Sequence, residues 1–432
     1  MADNKENKVL KSSIEREQSQ TCLNSAEREK IKGSKNLNVP HLRFPEFRGE
    51  WESSRLSSFA KKITKKNKGN IISNVLCNSA NFGIIPQSEY FDRGIANTEN
   101  TDTYYIIENG DFVYNPRKSV TAPYGPVNMY KGKNLGIISP LYLCFTVKDI
   151  SKDFLLNWFK GNKWHRYVYS HGDTGVRYDR VSIKDDIFLD MPINIPVIAE
   201  QEKISKSLNL LEERIATQNK VIEDLKLLKS AIIEEIDNCR YSKKVRLGDI
   251  GLFVRGLTYS SNDIVENNGI LVMRSNNIIN GSPLDYNNNI VHVNKHISSD
   301  QHLQCGDVVI CMANGSSTLV GKSSYYDGGC SLPITIGAFC GIYRSNEPLA
   351  KWLFQTSTYR RYIWNSLQGG NGAIANLNSD DILSMSFTIP DASTKDRFAK
   401  LLTYTDSAIN SNTKLHSLYI LQKHCLLRQM FI

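Results

Sequence analysis

The sequence predicts a mixed α/β protein of two tandem domains, each followed by a long helix, with the two helices paired as an antiparallel coiled coil. A segment that ends in an apolar-periodic helix recurs about 194 residues downstream. Short alternating runs that open with Gly-Asp predict a core strand in both copies. Each final helix carries apolar residues at alternating steps of three and four, which is typical of a coiled-coil seam. A repeat unit of this length indicates duplicated domains rather than a solenoid.

Composition limits the functional class. At 432 residues the chain can bury two separate cores, and its net charge of +9 favours an anionic partner. The nine cysteines form no CxxC pair and follow no secretory signal, so we expect no disulfide framework and a cytoplasmic location. No apolar run approaches the roughly 18 to 20 residues that a membrane span needs.

The repeat divides the chain into five segments. Residues 1–38 contain no Phe, Trp or Tyr and predict a disordered tail. The first domain is predicted at 39–196 and the first long helix at 197–240. The second domain and second helix follow at 241–390 and 391–432.

Duplicated motifs fill the two domains in the same order. The predicted core strands lie at 110–115 and 306–311. An aromatic helical pattern follows at 154–167 and again at 351–362. Each copy then has a glycine-bearing loop, an Asp-Asp-Ile motif and a short strand that ends in Ile-Pro.

The two final helices should pair, because a single helix cannot bury its apolar stripe alone. The predicted helix-pairing seam consists of Leu208, Leu211, Ile215, Ile222, Leu225 and Ile232 in the first helix and Leu402, Ile409, Tyr419 and Leu426 in the second. The second helix must run back along the first, which gives an approximate two-fold axis inside one chain. At roughly 1.5 Å per residue, each helix would span on the order of 55 Å. Such symmetry matches a DNA duplex, and because the two domains differ in sequence, two half-sites should differ as well.

Several motifs resemble those of the specificity subunit of type I restriction-modification systems. They are Leu-Arg-Phe-Pro-Glu-Phe at 42–47, Gly-Glu-Trp at 49–51, Leu-Gly-Asp-Ile at 247–250, and the Ile-Pro and Glu-Gln residues that lead into the first long helix. Residues 391–396 lack the usual Glu-Gln before the second helix. The resemblance covers residues 39–432.

This resemblance implies a non-catalytic DNA reader. Two target recognition domains would each bind half of a split, asymmetric site in double-stranded DNA. The helices would form a spacer that docks two methyltransferase subunits, and endonuclease/translocase subunits would join the complex. No cofactor is expected on this chain, whereas S-adenosylmethionine, ATP and Mg are expected on the partner subunits.

Candidate DNA contacts are basic and amide side chains near predicted strands and loops, because Arg suits guanine and Asn suits adenine in the major groove. They are Arg117, Lys118, Arg177 and Arg180 in the first domain and Arg274, Asn276, Asn277 and Lys322 in the second.

Two motifs suggest other chemistry but fit it poorly. Residues 315–323 nearly form a Walker A loop, but the spacing is one residue too long and 324–329 is predicted as a turn instead of a helix. Lys322 therefore becomes a DNA candidate. The second motif, a set of histidines and cysteines with plausible metal spacing, has no matched second pair. That set is His292, His296, His302, Cys305 and Cys311.

The sequence leaves two rival functions open. The chain could be a coiled-coil scaffold that joins two protein-binding domains without DNA contact. It could also be an endonuclease or methyltransferase itself, although residues 114–117 lack the second proline and aromatic of the amino-methyltransferase motif.

Overall fold

The computed structural model describes residues 38–90, 101–173, 179–239, 242–368 and 375–432. The chain divides into two compact units. The amino-terminal unit contains the described parts of Ile14–Gln218 together with Leu415–Ile432, and the carboxy-terminal unit contains the described parts of Asn219–Lys414. The predicted tail, except Asn38, lies outside the described residues. Within the described ranges, no helix has the length and apolarity needed to cross a membrane.

The amino-terminal unit is built on two sheets of four described strands each. Its strands are β1 (Glu52–Arg55), β2 (Ala60–Lys62), β3 (Val75–Ser79), β4 (Gly83–Pro86), β5 (Tyr105–Ile107), β6 (Phe112–Tyr114), β7 (Val127–Met129), β8 (Gly136–Ile138), β9 (Leu143–Val147) and β10 (Pro192–Ile195). The sheets have the orders β2-β9-β6-β7 and β4-β3-β8-β5, and β3 runs parallel to β8. β1 pairs antiparallel with β10 in a separate ladder.

Its helices are α1 (Gln87–Tyr90), α2 (Lys152–Lys160), α3 (His165–His171), α4 (Asp185–Leu189) and the first part of α5 (Ile198–Asp237). The aromatic pattern at 154–167 is divided between α2 and α3. The Ser151 side chain caps α2 by accepting the Phe154 N–H at 3.3 Å. Trp164, between the two helices, is buried and donates its indole N–H to the Phe159 carbonyl at 3.0 Å.

A buried ion pair fixes the extended segment at the start of this unit. Arg43 donates from Nε and Nη2 to the two carboxylate oxygens of Glu200, both at 2.8 Å, and the Glu200 side chain is fully buried. The indole of Trp51 lies 3.4 Å from the same carboxylate. The neighbouring Gln201 accepts the Ser151 N–H at 2.9 Å. The Arg-Phe-Pro and Glu-Gln motifs therefore contact each other directly.

The carboxy-terminal unit repeats this architecture. Its strands are β11 (Ser242–Arg246), β12 (Gly251–Arg255), β13 (Ile264–Val265), β14 (Ile270–Met273), β15 (Val291–Val293), β16 (Val308–Cys311), β17 (Ala313–Asn314), β18 (Ser323–Tyr325), β19 (Ile334–Ile336), β20 (Cys340–Ser345), β21 (Ala375–Asn376) and β22 (Ser386–Pro390). Its helices are the last part of α5, then α6 (Leu247–Ile250), α7 (Ala350–Leu353), α8 (Ser357–Gln368), α9 (Ser379–Leu383) and α10 (Ala392–Gln429), of which α10 continues into the amino-terminal unit.

The order β12-β20-β16-β18 corresponds to β2-β9-β6-β7, and β15-β14-β19 corresponds to β4-β3-β8. As in the first unit, the middle strand β14 has one antiparallel and one parallel neighbour. The predicted mixed α/β fold, with a long helix after each domain, is confirmed.

The repeated Gly-Asp pair has a specific role in each unit. Gly110 and Gly306 have φ angles of +91° and +96°, which glycine adopts without strain. Asp111 then accepts the Glu108 N–H at 2.8 Å, and Asp307 accepts the Gln304 N–H at 2.8 Å. The pair closes the turn that starts the central strand.

In the amino-terminal unit, α5 and α10 run antiparallel. Glu212 forms ion pairs with Lys423 of α10 at 2.7 Å and with Lys160 of α2 at 2.6 Å. Two residues further along α5, Arg214 donates to the Tyr419 hydroxyl at 2.8 Å. The contacting residue of α10 therefore has a lower number as the residue number in α5 rises. Burial opposes ionisation of Glu212, but the two lysines bring its pKa below the usual value.

In the carboxy-terminal unit, a buried polar group lies between the two helices. Lys229 Nζ of α5 lies 2.7 Å from the Asp406 carboxylate of α10, and each side chain is only 10% exposed. Lys229 also donates to the Gly281 carbonyl at 2.8 Å, and Trp352 donates its indole N–H to Asp406 at 3.2 Å. All ten predicted seam residues, taken unit by unit, are buried or half-buried.

Candidate nucleic-acid interface

In the amino-terminal unit, the chain beyond the end of β6 collects basic side chains. Arg117 pairs with Arg180 in an antiparallel bridge. The Lys118 N–H donates to the Asp179 carbonyl at 2.8 Å, and the Val181 N–H donates to the Pro116 carbonyl at 2.9 Å. Three predicted DNA candidates are therefore adjacent. The fourth, Arg177, lies outside the described residues.

These arginines are only weakly held by protein partners. Arg117 is 67% exposed, and its Nε lies 3.8 Å from the Asp179 carboxylate, an ion pair that water screens strongly. The Nε of Arg180 is buried without an acceptor among the described residues. Burial raises the pKa of Tyr142, and the charges of Arg180 and Arg117 oppose that rise.

Asparagines connect this edge to the neighbouring sheet. Asn78, on β3, donates to the Val113 carbonyl of β6 at 2.8 Å. Asn115 donates back to the Asn78 carbonyl at 3.0 Å, and Asn128 donates to the Asn78 side chain at 2.7 Å. Because these amides are buried or half-buried, their bonds hold the ends of β3 and β6 in a fixed position.

The carboxy-terminal unit has an equivalent edge after β16. There the bridge is the β17–β21 ladder, in which Ala313 pairs with Asn376 in the place of Arg117 and Arg180. Asn314 donates to the Ser275 hydroxyl at 3.3 Å, which connects this ladder to the loop after β14. At these two positions the second unit thus has an alanine and an amide where the first has two guanidinium groups.

The predicted Arg274, Asn276 and Asn277 differ in their surroundings. Arg274 is half-buried, donates to the Asn289 carbonyl at 3.2 Å, and has a buried Nε without an acceptor among the described residues. Asn276 is exposed. Asn277 is fully buried, and its amide donates to the carbonyls of Asp285 at 2.9 Å and Asn288 at 2.7 Å. With both donors occupied, Asn277 holds the loop instead of facing solvent.

Lys322 lies in a strand extension and not in a nucleotide-binding loop. Its backbone carbonyl accepts the Cys311 N–H at 2.9 Å. The residues that follow form β18, which pairs with β16, so the predicted turn at 324–329 is wrong over its first two residues. No helix follows Lys322, as a Walker A loop would require.

The histidine and cysteine set does not converge. Among the described residues, no three His, Cys, Asp or Glu side chains are grouped as metal ligands would be. Cys311 is buried on β16, and burial raises the pKa of its thiol. His292 lies on β15, 3.5 Å from the Gly269 carbonyl.

The sequence interpretation missed several residues at these edges. The charges of Arg117 and Arg180 act on the pKa of Tyr142 in the first unit, and Asn314 and Asn376 lie in the ladder of the second. Two exposed apolar residues, Leu141 and Phe339, precede β9 and β20. Extending the repeat alignment through the strands would have paired Leu141 with Phe339, but neither follows a recognisable motif.

Comparison with known proteins agrees with this architecture. Residues 48–227 match the family model of the type I restriction modification DNA specificity domain. The EcoKI type I specificity subunit of Escherichia coli (strain K12) is 32% identical over 136 residues, and the StySPI type I specificity subunit of Salmonella potsdam is 31% identical over 135 residues. Each match covers 29% of this chain and 27% of the relative's length.

A solved structure shares the fold along most of the chain. The type I restriction-modification S subunit from M. genitalium superposes with a TM-score of 0.56 at 15% identity, over 91% of this chain and 99% of that one. At this identity the likeness concerns the fold alone. Residues 48–227 of this chain are therefore similar to the type I restriction modification DNA specificity domain, and the fold of the chain is similar to that of a type I S subunit.

Proposed function

We propose that this chain is the DNA-sequence-recognising subunit of a type I restriction-modification complex and that it is not itself catalytic. The observation that carries the proposal is the repeated edge, in which each unit sets basic or amide side chains beyond the end of its central strand. Exposed Arg117 and Asn276 are suited to phosphates and base edges. The net charge of +9 adds long-range attraction to DNA.

The proposed DNA site is bipartite and asymmetric. The target recognition domains, 39–196 and 241–390, would each read one half-site. Guanidinium groups of Arg117 and Arg180 favour guanine, whereas the equivalent ladder of the second unit carries Asn314 and Asn376, whose amides favour adenine. Because the two domains carry different candidate base-contacting side chains, the two half-sites should differ in sequence.

The proposed partners are two methyltransferase subunits, which would dock on α5 and α10, and endonuclease/translocase subunits. S-adenosylmethionine, ATP and Mg would be bound by those partners. Several large apolar side chains on the long helices are more than 40% exposed and could form such docking surfaces; they are Leu210, Leu227, Leu228, Leu401, Tyr404 and Leu418.

The decisive experiment is a selection. The chain would be purified with its methyltransferase subunit and incubated with a randomised duplex library. We expect enrichment of two short unlike motifs at a constant separation. A single contiguous motif, or no motif, would refute the proposal.

The rival scaffold function predicts a different result. A chain that only joins protein partners would retain no duplex in the assembled complex, and its assembly would be insensitive to DNA. Binding of DNA with a steep salt dependence, as expected when lysine and arginine replace counterions on phosphates, would exclude the scaffold.

A further inference from the structure

We propose that Leu141 and Phe339 are the apolar contacts through which the two units read thymine methyl groups, an inference that rests on the proposed function. Leu141 is 63% exposed and Phe339 is 71% exposed. Folding brings such side chains little benefit, because hydrophobic stabilisation scales with the apolar surface removed from water. Their exposure is better explained by a surface that a partner covers.

The two residues occupy the same position in their units. Leu141 lies two residues before Leu143, which pairs with Tyr114 of β6. Phe339 lies two residues before Gly341, which pairs with Ile310 of β16. Because Tyr114 and Ile310 both lie four residues after the Gly-Asp glycine, the registers of the two sheets coincide. An exposed large apolar side chain is therefore a repeated feature of the architecture.

In the carboxy-terminal unit, Phe339 is held next to the predicted DNA candidates. Its carbonyl accepts the N–H groups of Met312 at 2.8 Å and Ala313 at 3.2 Å, and Ala313 pairs with Asn376. Gly337, two residues before Phe339, lies close to Arg274. A Cβ atom added at Gly337 would be 3.7 Å from the Arg274 Cγ. The Phe339 backbone is thus fixed next to the β17–β21 ladder, and Gly337, two residues earlier, lies beside Arg274.

In the amino-terminal unit, the backbone at Leu141 is held by bonds within its own loop. The Leu141 N–H donates to the Ser139 hydroxyl at 3.3 Å, and the Tyr142 N–H donates to the Ser139 carbonyl at 3.1 Å, so the loop is closed on itself. Leu143, two residues after Leu141, pairs with Tyr114, and the Arg117–Arg180 bridge follows three residues after Tyr114. An apolar side chain again accompanies the polar edge.

The composition of this edge points to the major groove. Arginine and asparagine match the hydrogen-bonding edges of guanine and adenine there, and the thymine C5-methyl is the apolar group that the groove offers. A fixed Phe or Leu beside those donors is complementary to that methyl. The duplex is chosen over a protein partner because both apolar residues precede a strand that pairs with the end of β6 or β16, after which the basic or amide side chains follow.

The test uses the full chain assembled with its methyltransferase subunit and the duplex that the selection identifies. Each thymine is replaced in turn by deoxyuridine, which lacks only the methyl group. For the intact complex we expect about a fourfold loss of affinity at one thymine in each half-site, as burial of one methyl-sized group predicts. Phe339→Ala should abolish the loss in one half-site, and Leu141→Ala should abolish it in the other.

Matched controls come from exposed leucines elsewhere in the same two units. Leu252 is 52% exposed on β12 and pairs with Arg344, near the end of β20, whereas Phe339 precedes the start of that strand. Leu135 is 44% exposed and precedes β8, whereas Leu141 follows β8. Leu252→Ala and Leu135→Ala should leave the deoxyuridine effect intact. If a motif is selected but no thymine shows the effect, or if Phe339→Ala and Leu141→Ala retain it, this inference is overturned while the proposed function stands. Failure to select any motif would overturn both.

Discussion

At the scale of single residues, the Arg43–Glu200 contact determines how the start of the ordered chain is fixed. Removing Arg43 leaves a fully buried carboxylate without its cation, which typically costs about 3–5 kcal/mol. We therefore expect Arg43→Met to lower the free energy of unfolding by an amount in this range, measured by chemical denaturation. Adding Glu200→Gln should recover part of the loss, because the side chain then carries no charge.

An exposed pair in the same unit is the control. The Arg55–Asp190 ion pair is 60% and 50% exposed, so Arg55→Ala should cost less than about 1 kcal/mol. Equal losses for Arg43→Met and Arg55→Ala would show that burial of Glu200 does not govern the contact.

A second residue-scale prediction concerns the buried Lys229–Asp406 pair. Asp406→Ala would leave the Lys229 ammonium 10% exposed and without its carboxylate, and should cost about 3–5 kcal/mol. The double variant Lys229→Met, Asp406→Asn removes both charges and keeps an acceptor for the Trp352 indole, so it should be more stable than Asp406→Ala. Thermal unfolding would measure both variants.

The exposed Lys400–Asp396 pair, on the same helix α10, is the matched control. Asp396→Ala should change stability by no more than about 0.5 kcal/mol. A double variant that is less stable than Asp406→Ala would contradict the desolvation argument.

At the scale of elements, α10 begins with a cap that differs from the Glu-Gln entry of α5. Asp391 accepts the Thr394 N–H at 3.1 Å and the hydroxyls of Ser393 and Thr394, both at 2.9 Å. These bonds favour the charged carboxylate and lower the pKa of Asp391 from 3.8 to about 2. The missing motif at 391–396 is therefore replaced by an ordinary N-cap.

The cap makes a pH-dependent contribution of known sign. Since the folded-state pKa lies below the unfolded value, the stabilisation is present above pH 4 and is lost as the pH falls from 4 towards 2. The difference in unfolding free energy between the native chain and Asp391→Ala should shrink over that interval. Asp391→Asn, which caps without a charge, should differ from Asp391→Ala by a constant amount. If the difference in unfolding free energy between the native chain and Asp391→Ala grew as the pH fell, the result would contradict this assignment.

The sequence predicts correctly those structural features that neighbouring residues determine, and it predicts poorly those that depend on distant parts of the chain. The Gly-Asp turns and the periodic helices have local causes, and both were predicted correctly. The strand β18 was partly missed because Gly328 and Gly329 suggest a turn, whereas pairing with β16 decides the conformation. The sequence predicts that Asn277 contacts a DNA base, but its side chain is buried and donates to carbonyls of the 285–288 loop. No sequence motif indicates these bonds.

At the scale of the whole molecule, duplication with divergence predicts that recognition can be changed one half-site at a time. Arg117→Ala should relax base preference in the half-site read by the first unit, and Arg274→Ala in the half-site read by the second. The discrimination lost at the affected position should be about 1–3 kcal/mol if each arginine reads a base. Repeating the library selection with each variant measures this, and a change in both half-sites from one substitution would contradict independent reading.

Salt dependence separates base readers from phosphate contacts in the same assembled complex. Each phosphate contact adds about 0.9 to the slope of log affinity against log salt for duplex DNA. If Lys118 contacts a phosphate, Lys118→Ala should reduce that slope by about one and weaken all sequences alike. Asn276→Ala removes no charge, so it should leave the slope unchanged and alter preference at one base pair. A slope that is unchanged in Lys118→Ala would assign this lysine to the solvated surface, because a lysine that displaces no counterion makes no phosphate contact.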